Sequence, residues 1–362
     1  MPNVYAVIMA GGIGSRFWPR SRERSPKQLL EIFNKGTMIQ HTVKRIADLI
    51  ESQNILIVTN KMQKPMVAKQ LPHIPSENII IEPLSRNTAP CIELAALFIR
   101  RMDPEAVMVV LPSDHIMENE EELRRILRLA TWVAYESGKL ITVGIQPTRP
   151  ETGYGYIQVI DEDSGTNPYF ERGVYTVKTF AEKPNLATAQ QFLQSGDFLW
   201  NSGMFIWRVD AIMKEIERLL PELHGEFMKV ADAIGSDAYD HAVETAYRII
   251  RSISIDYGVM EKTKDVYVIK GNFGWSDVGS WDEVYRISGK DEHGNSVTGK
   301  TYLHNTKNTL IHSGNTFVAA VGVENLIIIT TDDAVLVCKQ GQSQDVKEVV
   351  DYLRRKQMAD FL

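Results

Sequence analysis

Cysteine is scarce: Cys91 and Cys338 are the only two, each in an apolar context. That excludes a disulfide framework and a thiolate zinc site, and it points to a reducing compartment, so a cytoplasmic location is expected. Long apolar runs are missing as well. None approaches the roughly 18 residues that a membrane helix needs, and Met1 leads into a short apolar run with no basic leader. Cationic excess is missing too. The formal net charge is −6 over 362 residues, which argues against bulk nucleic-acid binding. His41, His73, His224, His241 and His293 show no zinc spacing and read as structural or surface groups. What remains is an ordinary globular composition, 44% hydrophobic and 24% charged, in a chain long enough for two or three domains with a large core.

Against that background the front of the chain stands out. An apolar run from Val4 breaks at Ala10-Gly11-Gly12-Ile13-Gly14-Ser15-Arg16 and continues as a basic loop to Pro26-Lys27-Gln28. Glycines let a backbone approach a ligand closely, with its N–H groups facing anionic oxygens. The loop's cations supply the charge that phosphates need. No Gly-Lys-Ser or Gly-Lys-Thr follows, so this is not a P-loop, and the third glycine of the dinucleotide fingerprint is missing. The plain alternative is a strand-to-loop turn with a solvated basic face.

Short apolar runs alternate with helical patterns through the first half. Val4–Ala10, Ile55–Thr59, Ile79–Glu82, Val107–Leu111 and Leu140–Gly144 read as strands. Thr37 with Gln40 and Asn119 with Glu122 mark helix starts. The alternation predicts an α/β fold: a Rossmann-like, mixed but mostly parallel sheet covered on both faces. Ligands then bind outside the carboxyl ends of the strands. Asn201-Ser202-Gly203 reads as a polar turn into a strand, and helices are expected from Val209 to about Ile250. Residues 286–300 are polar and glycine-containing, so a boundary is placed after 285. Beyond it, short β runs separated by Asn305, Asn308, Gly322 and Asn325 predict a small C-terminal β unit over 286–362. Their spacing suits a short left-handed β-helix-like coil, and Val346, Val349, Val350 and Leu353 mark a closing helix.

Three polar segments fall at strand ends: the front loop, Pro83–Thr88 and Pro112–His115. Asp114 follows an apolar strand, where a carboxylate can face a ligand, or it is a turn or capping residue. Asp277 sits in a second glycine-rich loop, Gly271–Trp281, as a ligand or as the N-cap of a helix over 279–286. Arg86-Asn87-Thr88 precedes a helix and caps it on the plain reading. Glu182-Lys183 reads by itself as a solvated strand end.

The run Ala-Gly-Gly-x-Gly-x-Arg…Pro-Lys-Gln resembles the signature of the sugar-1-phosphate nucleotidyltransferases. The likeness continues in order at Glu82–Pro90, Leu111–His115, Gly153–Ile157, Phe180–Pro184, Asn201–Trp207 and Phe273–Trp281. It implies a catalytic domain over 1–285 that transfers GMP from GTP to α-D-mannose 1-phosphate, giving GDP-mannose and pyrophosphate. It implies Arg16 and Lys27 as the catalytic cations. Ala10, Gly11, Gly12, Gly14, Ser15, Glu82, Arg86, Asn87, Thr88 and Ser113 would hold the nucleotide. Gly155, Glu182, Lys183 and Asn201 would hold the sugar phosphate, and Asp114 and Asp277 would hold Mg²⁺, a hard cation that takes oxygen ligands. No nucleic-acid or membrane partner is expected, and a homodimer is compatible with the family. Another sugar 1-phosphate or nucleotide, a non-catalytic nucleotide-sugar sensor, and a glycosyltransferase on a similar sheet are the alternatives.

Overall fold

The computed structural model describes residues 2–33, 35–162 and 165–362. The apolar runs fold as strands β1 (Val4–Met9), β2 (Ile55–Asn60), β3 (Ile79–Glu82), β4 (Val107–Pro112), β5 (Leu140–Ile145), β6 (Tyr156–Ile160), β7 (Val174–Ala181), β8 (Phe198–Arg208) and β9 (Val266–Gly271). Together they make one sheet in the order β3-β2-β1-β4-β8-β5-β9-β7-β6. Alternate residues of β1 serve different cores: Tyr5 and Val7 pack on one face, Ala6 and Ile8 on the other. Burial on both faces explains why these strands read as unbroken apolar runs.

The expected helix starts are present. Thr37 and Gln40 form a reciprocal capping box before the helix Met38–Ile46, and Asn119 Oδ1 accepts the Glu122 N–H at 3.0 Å at the start of Glu120–Ser137. Helices Val209–Leu219, Pro221–Ala233 and Tyr239–Ile249 fill the predicted helical stretch.

Two expectations need correction. The sheet is mixed, as expected, but not mostly parallel. Its β3-β2-β1-β4 half is parallel, but β8 runs antiparallel to both β4 and β5, and β7 runs antiparallel to β6 and β9. β6 pairs with β8 as well, so β8, β5, β9, β7 and β6 form a closed circuit of pairings. Parallel neighbours need a crossover of a dozen or more residues, and no described helix lies between β5 and β6 or longer than one turn between β6 and β7. The second correction concerns Asn201-Ser202-Gly203. It does not lead into a strand; it lies inside β8, where Gly203 takes φ +71° and the pairing with β5 shifts register between Thr142 and Gly144.

The C-terminal part forms β10 (Ser296–Thr298), β11 (Thr301–His304), β12 (Leu310–His312), β13 (Val318–Val321), β14 (Leu326–Thr330) and β15 (Val335–Lys339), followed by the helix Val346–Arg355. β10, β12 and β14 stack in parallel, as do β11 and β13. Pairing of alternate strands is the pattern of a β-helix. Asn305, Asn308 and Asn325 occupy its turns at φ 49°, 47° and 58°, a conformation that asparagine tolerates better than most residues. The unit is not a separate body. Leu310, Ile327, Leu336, Val346, Val350 and Leu353 share one apolar core with Phe17, Trp18, Leu30, Ile32 and Met38 from the front of the chain, joined through Val278, Trp281 and Val284.

Candidate active site

A cavity of about 510 Å³ opens outside the carboxyl ends of β1, β3 and β4. Its wall includes Gly11, Gly12, Glu82, Asn87, Thr88, Ser113, Asp114, Gly155, Glu182, Lys183, Asn201 and Asp277. Residues separated by most of the chain therefore meet, as the open-sheet rule requires.

Lys27 stands at the centre, although it does not line the cavity. Its ammonium lies 2.8 Å from Asp114 Oδ2 and donates to the Asp277 carbonyl at 2.6 Å. The side chain is buried and passes 5.3 Å from the Phe17 ring centroid. Gly14 makes this approach possible. It takes φ +67°, and a Cβ there would sit 2.6 Å from Lys27 Cβ. Gln28 fixes the rest of the loop, donating to the carbonyls of Ala10 and Gly12 at 3.0 and 2.9 Å. Arg16 follows on a single 3₁₀ turn, Ser15–Phe17, and is exposed. Like Ala10, Gly14, Ser15 and Arg86, it lies outside the cavity wall.

The two aspartates are held differently. Burial pushes the Asp114 carboxyl up, but Lys27 and His115 overcome it and hold it below the usual range. Burial raises Asp277, and Asp114 adds to that, against the pull of Lys27 and Tyr154. Asp277 Oδ1 accepts from the Tyr154 hydroxyl at 2.6 Å and from Gly279 N–H at 3.1 Å. Neither aspartate caps a helix: Ser280 takes that place before Trp281–Ile287, and Asn119 before Glu120–Ser137. Mg²⁺ keeps several waters and phosphate oxygens and needs only one or two carboxylates from a protein. Two aspartates on one cavity wall suit that donor set, and no described cluster of three or more His, Cys, Asp or Glu competes for a metal.

At one end of the cavity Glu82 is buried, and burial pushes it up to about 7 against the hydrogen bond from Tyr247. The Tyr247 hydroxyl donates to Oε1 at 2.8 Å, and a Cβ on Gly11 would lie 3.2 Å from Oε2. A carboxyl raised above its unfolded value favours the protonated native state. Its contribution to stability is therefore full at low pH and is lost as pH rises through about 7. Glu82→Gln should melt progressively higher than wild type as pH rises from 5 to about 7, and the difference should level off above that. Melting curves across that range check it, and a constant offset would contradict it.

The neighbouring loop is tied to its own helix and to the segment around Tyr247 and Ile255. Asn87 Oδ1 accepts from Thr88 N–H at the start of Thr88–Met102, Arg86 Nε donates to the Tyr247 carbonyl at 2.8 Å, and Thr88 Oγ1 accepts from Ile255 N–H at 2.9 Å. The capping reading of this segment is thus present in the fold.

At the other end Lys183 pairs with Glu182 Oε1. A Cβ on Gly155 would overlap Glu182 Oε2. Asn201 Nδ2 donates to Asp256 Oδ1 at 2.8 Å. Asp256 lines the cavity and is pushed up to about 6, first by burial and then by Glu182. It was not legible as a site residue; the one signal is an acid set between the buried apolar residues Ile255 and Val259. Gln28, Tyr154 and His115 were missed as well, and all three line the cavity. Burial drives His115 down to about 4.

A glycine loop, a buried lysine between two aspartates, and a cavity at the switch of a mixed sheet suit a phosphorylated ligand. The chain belongs to the nucleotidyl transferase family, whose profile matches residues 5–294. A second profile, the mannose-phosphate isomerase/GMP-like beta-helix domain, matches residues 302–353. Mannose-1-phosphate guanylyltransferase of Klebsiella pneumoniae is 42% identical over 98% of this chain and 75% of its own length. The protein of that name from Escherichia coli K12 is 40% identical over 97% of this chain and 73% of its own length. A solved structure from Thermus thermophilus, described as a mannose-1-phosphate geranyltransferase, superposes with a TM-score of 0.87. It is 32% identical and covers 97% of this chain and 99% of its own.

Proposed function

We propose that the protein transfers GMP from GTP to α-D-mannose 1-phosphate, releasing pyrophosphate. The observation that carries this reading is the position of Lys27. Its ammonium sits behind Asp114 and Asp277, which line a cavity with Glu82 and the glycine loop at one end and Glu182, Lys183 and Asn201 at the other. The chemistry requires such an arrangement. A phosphate oxygen of the sugar phosphate attacks the α-phosphorus in line. The new P–O bond forms as the bond from the α-phosphorus to the bridging oxygen breaks, and pyrophosphate leaves with that electron pair. The nucleophile is already an anion, so no general base is required. The barrier is that two polyanions must meet, and positioning with charge neutralisation lowers it.

The Gly11 and Gly12 backbone would approach the nucleotide, with Gly14, Ser15, Ser113 and the Arg86–Thr88 loop around it. Glu82 supplies a carboxyl beside the base, where guanine offers N1–H and N2–H donors. Lys27 would span the sugar phosphate and the α-phosphate, and Arg16 would neutralise the departing pyrophosphate. Asp114 and Asp277 would hold Mg²⁺, which supplies positive charge to the phosphates when bound. We further read residues 1–285 as the catalytic unit and 286–362 as a left-handed coil that braces it. Among the described residues no helix is long and apolar enough to cross a membrane.

Pyrophosphate release from four nucleoside triphosphates, each paired with mannose and glucose 1-phosphates, tests the reading. GTP with mannose 1-phosphate should be the best pair. Strong activity with UTP or dTTP and none with GTP would overturn it, and ligand binding without release would make the chain a sensor.

A further inference from the structure

The segment Ile253–Glu261 joins the two ends of the cavity. On one side it is sewn to the loop placed beside the nucleotide: Ile253 N–H donates to the Arg86 carbonyl, Ala89 N–H to the Ile253 carbonyl, and Ile255 N–H to Thr88 Oγ1. On the other side Glu261 Oε1 accepts the Glu182 N–H at 2.9 Å. Between these anchors Asp256–Met260 forms a five-residue π-helical turn, a geometry that recurs at functional sites because it re-aims a side chain. Here the side chain delivered to the cavity wall is Asp256.

The surroundings of Asp256 are short of a hydrogen-bond donor. Glu182 is almost fully enclosed, its side chain only 5% exposed. One oxygen takes Lys183; the other, Oε2, is buried with no hydrogen-bond partner. Gly155 lets that oxygen sit where a Cβ would otherwise stand, on the cavity wall that both residues line. Asn201 cannot serve freely, because its amide is held at both ends. Nδ2 donates to Asp256, and Oδ1 accepts from Gly203 N–H at 3.1 Å. An ionised carboxylate accepts only, so Asp256 fixes which way the Asn201 amide faces. Two carboxyl groups thus crowd one wall of a cavity, and an enclosed carboxylate oxygen without a donor is costly. A ligand rich in O–H donors removes that cost, and a hexose is such a ligand.

Resting on the proposed reaction, we infer that Asp256, together with the unpaired Glu182 oxygen, reads the hydroxyls of the bound sugar and sets which hexose 1-phosphate is accepted. A site built to bond a hydroxyl discriminates strongly, because the wrong sugar leaves a buried acceptor bare. Asp256 acts on the sugar and not on the α-phosphorus, so its removal separates the two substrates.

The test is Asp256→Asn, isosteric but no longer an obligate acceptor, with Asp256→Ala and Glu182→Gln beside it. KM and kcat are measured for GTP and for mannose 1-phosphate, 2-deoxymannose 1-phosphate and glucose 1-phosphate. Each variant is assayed well below its own melting midpoint. Asp256→Asn should raise KM for mannose 1-phosphate roughly tenfold or more and shrink the preference over glucose 1-phosphate by a similar factor. KM for GTP should stay within about twofold. Unchanged sugar KM and selectivity, or equal rises for both substrates, would overturn the inference. If the wild type releases no pyrophosphate from any pair, the reaction reading fails. Calorimetric binding of mannose 1-phosphate to wild type and Asp256→Asn then decides the role of Asp256 separately: equal affinities reject it, and weaker binding by the variant supports it.

Discussion

Lys27→Ala should lower kcat for pyrophosphate release by roughly 10²–10³, the usual cost of removing one preorganised charge from a transition state. The side chain is buried and already aligned: Gly14 lets its Cβ in close, Asp114 and the Asp277 carbonyl hold its ammonium, and Phe17 covers it. No reorganisation is needed when charge builds on the α-phosphate. The loss should fall mainly on kcat, because Glu82 and Glu182, at the two ends of the cavity, do not contact Lys27. Lys27→Arg should not restore the rate. A planar guanidinium has neither the shape nor the point charge for this slot. Steady-state kinetics on the two variants, with circular dichroism to show the fold intact, checks both statements. A near-normal rate for Lys27→Ala would remove it from the reaction.

The largest effect on stability is expected at Trp281. It is fully buried, its ring centroid lies 5.0 Å from that of Phe17, and its Nε1 donates to the Trp18 carbonyl at 3.2 Å. It also approaches His312 of β12 at 5.9 Å. Trp281→Ala should cost about 3–5 kcal/mol, since it empties the centre of the core shared by the front loop and the β unit. Phe17 flanks both Trp281 and Lys27, so activity should fall too, and Trp281→Phe should lose less of each. Urea unfolding checks the stability. A loss under about 1 kcal/mol, an ordinary surface-substitution effect, would show that the shared core does not depend on this ring.

Much of the fold was legible because the parallel strands are local in pattern. Each is an apolar run between a turn and a helix, and Thr37, Gln40 and Asn119 announce their helices within a few residues. The second half of the sheet was harder. β8 carries Asn201-Ser202-Gly203 in its middle, and polar residues there look like a turn until the cavity they face is known. The site divides in the same way. Asp114 and Asp277 sit in loops whose composition invites a ligand. Asp256 does not, because its meaning comes from Asn201, 55 residues away. Tyr247 and Glu82 are 165 residues apart, and only the closed structure makes one the partner of the other. Arg86, which the resemblance sets beside the nucleotide, also donates from Nε to a backbone carbonyl of the helix Tyr239–Ile249, a contact that its position in the sequence does not announce.

The contacts of the front loop also have a consequence in time. Phe17, Trp18 and Leu30 leave the ribosome early, yet they pack against Trp281, Leu310, Ile327 and Val350. Trp18 Nε1 donates to the carbonyl of Phe361. The loop that carries Lys27 therefore takes its full packing from residues as far along the chain as 361. Near-neighbour strands of the sheet can pair early, but the packing of the front loop waits for residues beyond 281, since long-range closure comes late in folding. The setting of the Lys27 loop is thereby tied to folding of the β-helical unit.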